Sequence, residues 1–360
     1  MQSSKKILFN LALAAGTGIF CVSIFAGYFC YKARRDFAHH RSEYVGDSFI
    51  EEDPEIGFHQ RANITMRHTV PPVFTVYTDT LGLRVDRQGL KAPSSVDVLA
   101  IGCSFTWGDG VEDAATYIKV LGRKKHVSVG NAALASFGTT AALLSLNRFE
   151  HLRPKVVIYG FIEDHIARSL EPCAPSVSPY CRSVAFIDFG EDGEPFIRKP
   201  AFTSSEYSYL QSLVSHKDFD YTDVYWKFRR TLLRLTRNDS RSINEQFRRN
   251  FTPQRREQAL RFLIDQLVAK TRSMDAKLII VYLPLVTEIH PPPQELHKAL
   301  EKHLDQGNVF FVDITPAILG ATEKQGLERL KAGGVDAHPS EAAHEVIAET
   351  IAQVLDLALQ

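Results

Sequence analysis

The chain has no surplus of charge: 42 Lys and Arg stand against 42 Asp and Glu in 360 residues, a formal net charge of zero. That balance argues against a protein whose main business is nucleic acid, because a polyphosphate backbone selects for clustered positive charge. The histidines show no zinc-type spacing, and no Gly-rich phosphate or dinucleotide fingerprint occurs, so neither a metal nor a cofactor is expected. Internal repeats and low-complexity tracts are missing too. Cysteine is sparse, with five in all. Cys21 and Cys30 lie in no lipoprotein cleavage box, which removes one route to the membrane.

Among the things present, one long stretch free of charge runs from Ile7 to Tyr31, after Lys5 and Lys6. It is long enough to cross a bilayer as a helix, exceeds a typical signal-peptide core and has no small-x-small site after it, so residues 7–31 read as an uncleaved, single-pass anchor behind a short tail, residues 1–6. Lys32, Arg34, Arg35 and Arg41 follow the span, and charge alone favours keeping that side in the cytoplasm. The cysteines speak for the other topology. Cys173 and Cys181 bracket a proline-rich loop whose short span and turn chemistry would let the sulfurs meet, and a disulfide there implies an oxidising, periplasmic or otherwise extracytoplasmic location. Two free thiols in a cytosolic loop are the alternative.

Beyond the anchor, residues 32–95 are rich in polar and turn residues and read as a stalk and β-rich lead-in. Strand-like and helix-like segments then alternate, as a parallel sheet covered on both faces requires. Strands are expected at 96–101, 126–129, 155–159, 277–282 and 309–312. Helices are expected at 114–121, 139–151, 253–272, 293–304 and 340–357. One domain, residues 96–358, holds them, with an insertion at about 170–250. Within the insertion, Tyr225-Trp226-Lys227-Phe228-Arg229-Arg230 opens a basic stretch that continues through Arg234, Arg237 and Arg241. It reads as a helix with a solvated basic face and with Trp226 and Phe228 packed inward. Contact with anionic lipid or an acidic glycan is the alternative.

The first strand leads into Gly102-Cys103-Ser104-Phe105-Thr106. A serine at the carboxyl end of a buried strand, just before a helix, has its Oγ exposed at the sheet edge, with backbone N–H groups of the turn nearby. A tight turn or phosphate loop has the same look. Far downstream, Asp336-Ala337-His338-Pro339 precedes an apolar-periodic helix; proline fixes the backbone beside the imidazole, and Asp336 is close enough to orient it. Cys103 points away from Ser104 in an extended segment and reads as a small core residue.

These two blocks together resemble those of the SGNH branch of the GDSL-type esterases, over roughly residues 53–358. That family carries Gly-Asp-Ser-Phe-Thr at the first block and Asp-x-x-His-Pro at the second. The piece Tyr77-Thr78-Asp79-Thr80-Leu81-Gly82-Leu83-Arg84 is similar to the lead-in found before the serine in many membrane-associated members. The resemblance implies a flavodoxin-like three-layer α/β/α sandwich on a five-stranded parallel sheet. It also implies that Ser104 is the nucleophile and His338 its base. Asp336 orients His338 in this reading, one position closer than the usual spacing, with a backbone carbonyl as the fallback.

Two further blocks depart from the family pattern. After the second strand, Asn131 stands at the family asparagine, and the oxyanion glycine falls on Ser136, whose backbone N–H still serves if the serine accepts a glycine-like conformation. After the third strand, Glu163 occupies the place of the family's asparagine, followed by Asp164; a carboxylate donates no hydrogen bond unless protonated. His165 reads as a structural histidine beside Asp164, with a substitute donor as the alternative, and His344 reads as structural. Three functions follow from the resemblance: a membrane-anchored serine esterase removing acyl groups, above all O-acetyl, from an envelope or exported polysaccharide; an acyltransferase using the same serine; or a weakened glycan-binding scaffold. Partners in polysaccharide assembly fit the first two.

Overall fold

A computed structural model describes residues 2–46, 49–87, 89–175, 181–200, 219, 221–248, 251–304, 306–333 and 337–360. The charge-free run lies in a single helix, α1 (Gln2–Glu43), whose Leu13–Ala38 portion is long and apolar enough to cross a membrane. Four short strands follow it in the central sheet: β1 (Tyr44–Gly46), β2 (Thr65–His68), β3 (Phe74–Thr78) and β4 (Arg84–Val85). Then come β5 (Val98–Gly102), β6 (Val129–Asn131), β7 (Val156–Phe161), β8 (Lys277–Tyr282) and β9 (Val309–Asp313).

The sheet order is β1-β2-β3-β4-β6-β5-β7-β8-β9. Its five parallel strands, β6-β5-β7-β8-β9, have the second-first-third-fourth-fifth order of a flavodoxin-like sheet. The expected five-stranded sheet is therefore too narrow: β4 pairs antiparallel with β6 through Arg84 and Asn131, and β1 to β4 widen the sheet to nine strands. The four strands fall within residues 32–95, the segment read as a stalk and β-rich lead-in. The second parallel strand also lies three residues later than expected. His126 takes a left-handed conformation (φ 56°) and ends the preceding helix, so the strand begins only at Val129.

Helices cover both faces. They are α2 (Ser104–Trp107), α3 (Tyr117–Lys125), α4 (Thr139–Phe149), α5 (Asp164–Arg168), α6 (Tyr221–Leu235), α7 (Ser240–Arg248), α8 (Pro253–Ser273), α9 (Gln294–Leu304), α10 (Thr315–Gln325), α11 (Leu327–Leu330) and α12 (Glu341–Leu359). Period-two alternation sorts the strand residues. Leu99, Ile101, Val157, Tyr159, Leu278 and Ile280 pack against α4, α8 and α9. Val98, Ala100, Val156, Ile158, Ile279 and Val281 pack against α3, α10 and α12. Both sets are fully buried, which is why these strands read as unbroken apolar runs in sequence.

The inserted segment contains two hairpins, Cys173–Ala174 with Arg182–Ser183 and Phe186–Phe189 with Pro195–Arg198, followed by α6 and α7. A disulfide joins Cys173 to Cys181, with Cα atoms 4.9 Å apart. In α6, Trp226 is buried as expected, but Phe228 is not packed into the globular core: its ring meets Phe25 and Phe29 of α1 edge-on, at 6.1 and 5.5 Å.

Candidate active site

Strand β5 ends at Gly102, and two features there require glycine. Its φ is +145°, and a Cβ would lie 2.7 Å from the Gly160 carbonyl and 2.8 Å from Thr106 Oγ1. Across the β5–β7 register, a Cβ on Gly160 would fall 1.9 Å from the same Thr106 hydroxyl. Two bare backbones thus let Thr106 tuck into the sheet end, where its Oγ1 accepts from the Tyr117 hydroxyl at 3.0 Å. This seats the one-turn helix α2, and Ser104 is its first residue.

His338 reaches Ser104 from the far end of the chain: Nε2 lies 2.8 Å from Ser104 Oγ. That is hydrogen-bonding distance for a nucleophile and its general base. The imidazole also lies tilted against Phe105, ring centroids 4.9 Å apart. Its loop is held from three sides, since Ala332 N donates to the His338 carbonyl, Ser340 N to that of Leu330, and Val286 N to that of Ala337. Ser340 then caps α12 by accepting from Ala343 N. Asp336 lies outside the described residues.

Asp109 is a neighbour that the sequence reading missed. Its Oδ2 lies 4.0 Å from His338 Nε2, on the serine side of the ring. The chain returns there because α2 is a single turn: Gly108 N and Asp109 N both donate to the Ser104 carbonyl, at 2.8 and 3.0 Å. Within Gly108-Asp109-Gly110 the residue looks like turn chemistry, and only its position one turn past Ser104 could have pointed to it.

The loop after α2 is fastened by two buried polar side chains. Arg84, fully buried, donates from Nη1 to the carbonyls of Trp107 (2.7 Å) and Gly108 (2.6 Å) and from Nη2 to that of Val111. Its guanidinium lies 4.6 Å from the Trp107 ring centroid. Buried Asp113, ion-paired to Lys119 at 3.6 Å, helps to balance its charge. Asn131 donates from Nδ2 to Thr106 O (3.0 Å) and Trp107 O (3.3 Å), and its Oδ1 accepts from Ala133 N. With its amide hydrogens so engaged, Asn131 positions α2.

Ser136 has φ +70°, the left-handed region that glycine favours. The serine does adopt the glycine-like backbone its place demands. Its hydroxyl donates to Pro175 O at 2.9 Å, so the disulfide-bearing segment braces this loop. Glu163 and Asp164 are both exposed, and Asp164 pairs with Arg168 at 3.2 Å. His165 is fully buried with Nδ1 2.8 Å from the Tyr159 hydroxyl, which in turn donates to Thr139 Oγ1. Burial, then the charge of Arg168, holds the His165 pKa well below the usual imidazole value. It is a core residue, in keeping with the structural reading.

His344 is buried and structural. It accepts from Tyr117 N through Nδ1 at 3.2 Å, and burial, followed by Arg84 and His338, lowers its pKa to about 3. Cys103 is fully buried, and that burial pushes its thiol pKa up, in keeping with a core residue. No cluster of three metal-ligating side chains occurs among the described residues.

No protein-family model matches the chain, and no curated relative does. Solved structures do resemble it. TesA matches with 13% identity over 72% of this chain and 98% of its own, TM-score 0.37. A GDSL-like lipase from Bacteroides thetaiotaomicron matches with 10% identity over 72% and 87%, TM-score 0.34. A family two carbohydrate esterase from Clostridium thermocellum, in complex with cellohexaose, matches with 13% identity over 75% and 68%, TM-score 0.35.

Proposed function

We propose that this protein is a serine esterase of the SGNH type, held at a membrane by α1 and acting on acyl, above all O-acetyl, esters of an envelope or exported polysaccharide. The observation that carries the reading is the 2.8 Å contact between Ser104 Oγ and His338 Nε2, made by residues 234 positions apart. A turn serine has no need of such a partner.

In this reading His338 takes the Ser104 proton as Oγ attacks the ester carbonyl. The imidazolium so formed has the Asp109 carboxylate close by, and a nearby negative charge favours it. Asp336 is assigned to orient the other ring nitrogen. Backbone N–H groups of Ser104 and Ser136 receive the tetrahedral oxyanion. As the first residue of a helix, Ser104 has an N–H with no acceptor inside its own helix. The protonated His338 then hands its proton to the departing alcohol, and water activated by the same imidazole resolves the acyl-serine. Neither Glu163 nor Asp164 has a step here. The polysaccharide is inferred from the resemblance of the motifs, and the extracytoplasmic side from the Cys173–Cys181 bond, which persists in oxidising compartments.

A fluorophosphonate probe tests the reading directly. Wild type is expected to label and to release acetate from acetylated oligosaccharide, while Ser104→Ala loses labelling and at least about 10⁴-fold of its turnover. Equal labelling of both proteins removes the esterase assignment. Transfer of acetyl to a second sugar in place of acetate release would make the acyltransferase the better description.

A further inference from the structure

Helix α6 is amphipathic in an unusual place. Tyr225, Phe228, Leu232 and Leu235 recur at three- and four-residue spacing along one stripe. All four are exposed, by 52%, 41%, 47% and 78% respectively. The globular domain leaves this stripe uncovered.

The neighbour along that helix is α1. Phe219, just ahead of α6, meets Phe37 at 5.9 Å and lies under the Arg34 guanidinium at 5.3 Å. Lys227 pairs with Asp36. Further on, Phe228 meets Phe29 and Phe25. Rising numbers in α6 therefore meet falling numbers in α1: the helices run antiparallel. From Phe228 to Leu235 α6 continues for about 10 Å at a helical rise of ~1.5 Å per residue. The Phe228 contacts fall on the last turns of the charge-free run of α1, just ahead of Lys32, Arg34 and Arg35, where Phe25, Tyr28 and Tyr31 are exposed as well.

We propose that α6 is a second membrane-contacting element, its apolar stripe seated at the hydrocarbon boundary of an anionic bilayer beside α1. The charge of the segment favours anionic lipid. Arg234, Arg237 and Arg241 are exposed around the end of the stripe, and long arginine stems let guanidinium groups rise to the phosphates while the stem stays in apolar surroundings. Arg229 rests 5.5 Å from the Trp226 ring centroid, which ties the basic side of the helix to the buried anchor of the insertion. Seated this way, α6 makes a two-point attachment and fixes the tilt of the domain on the membrane, where α1 alone would act as a swivel. The inference rests on α1 lying in a membrane and is independent of the chemistry at Ser104.

The test uses the full chain reconstituted in vesicles of phosphatidylcholine mixed with phosphatidylglycerol, carrying one environment-sensitive fluorescent amino acid at Leu235, Phe20 or Lys324. Lipids brominated on their acyl chains are expected to quench the labels at 235 and 20 and to leave the label at 324 bright. Quenching at 235 is expected to weaken in phosphatidylcholine alone, and again when Arg234 and Arg237 are both changed to Gln. A quenched label at 20 with an unquenched label at 235 overturns the α6 proposal and leaves the anchor intact. No quenching at 20 overturns both. Energy transfer between labels at 235 on separate chains, without lipid quenching, would assign the stripe to a second copy and overturn the lipid assignment.

Discussion

The loop that follows Ser104 and the loop that carries Ser136 flank the same proposed chemistry but are fastened by different means. On the first, Arg84 and Asn131 hold the carbonyls of Thr106, Trp107, Gly108 and Val111 from inside the core. On the second, one hydroxyl reaches Pro175, two residues after Cys173 and inside the loop that the disulfide closes, in a segment lying outside the central sheet. Buried donors with several acceptors rigidify, because loss of any one leaves polar groups stranded in a low dielectric. A surface brace is cheaper to alter. The Ser104 loop is therefore set by the core, whereas the Ser136 loop, tied to the sheet by Leu134 N at the Gly102 carbonyl and by Arg168 at the Phe137 carbonyl, gains a further brace from a segment that a disulfide closes.

The strongest challenge to this contrast is removal of Arg84. Replacing it with Met keeps much of the volume but strands the Val111 carbonyl, leaves those of Trp107 and Gly108 with one donor each at 3.3 Å, and leaves Asp113 buried with Lys119 alone, so a loss of about 3–5 kcal/mol is expected. Denaturant unfolding of Arg84→Met checks this. A midpoint equal to wild type would mean that the clamp contributes nothing. The corresponding break on the other loop is Cys181→Ser. Opening so short a covalent loop costs roughly 2–3 kcal/mol, and release of Pro175 is expected to lower kcat/KM by about 3- to 10-fold as the Ser136 donor loses its aim. Ser104 labelling should survive in this variant; losing it would show that the two loops are not separable.

Protonation separates the two loops in another way. His344 lies behind the nucleophile wall, bonded to Tyr117 N, and its folded pKa of about 3 lies well below the ordinary imidazole value. Below about pH 6.5 the unfolded chain therefore binds a proton that the folded chain refuses, and stability falls as pH falls. Burial lowers the pKa of His165 in the same direction. Between pH 6.5 and 5.0 the expected loss from His344 is about 2 kcal/mol, since one pH unit corresponds to ~1.4 kcal/mol per proton. The opposing shifts of Asp79 and Asp113, raised by burial, blunt the fall as the pH drops through their folded pKa values. Urea titrations at intervals across the range measure the slope, and His344→Asn should flatten it. A wild-type slope of zero would contradict the buried neutral state.

The parts visible in the sequence are those with repeating physical signatures. All five parallel strands are apolar runs because both faces are covered, and four of the five lie within two residues of where that pattern puts them. Strands β1 to β4 are legible only as a β-rich lead-in, because they are two to five residues long and too short to carry a clear periodic signature one by one. The meeting of Ser104 with His338 was legible only from the pairing of two distant blocks. The partners of Arg84 and Asn131 were not, since backbone carbonyls carry no sequence label. Phe228 was misjudged because its neighbour is α1, an element the sequence suggests only as an anchor.

The smallest effect offers the finest comparison. Ser136 holds φ +70° without being glycine, and such a conformation costs a side-chain-bearing residue of order 1 kcal/mol. Ser136→Gly relieves that strain but removes the bond to Pro175 and gives the unfolded chain more freedom, so the net change is expected within about 1 kcal/mol of zero. Activity separates the two contributions. If the backbone N–H alone matters, Ser136→Gly keeps kcat/KM within about twofold of wild type, and Ser136→Ala, which also lacks the hydroxyl, behaves likewise. If the Pro175 brace aims that N–H, both variants fall to the level of Cys181→Ser, and combining either with Cys181→Ser adds nothing further. Hydrolysis rates of the single and double variants therefore decide whether the disulfide segment reaches the chemistry through this one hydroxyl or by another path.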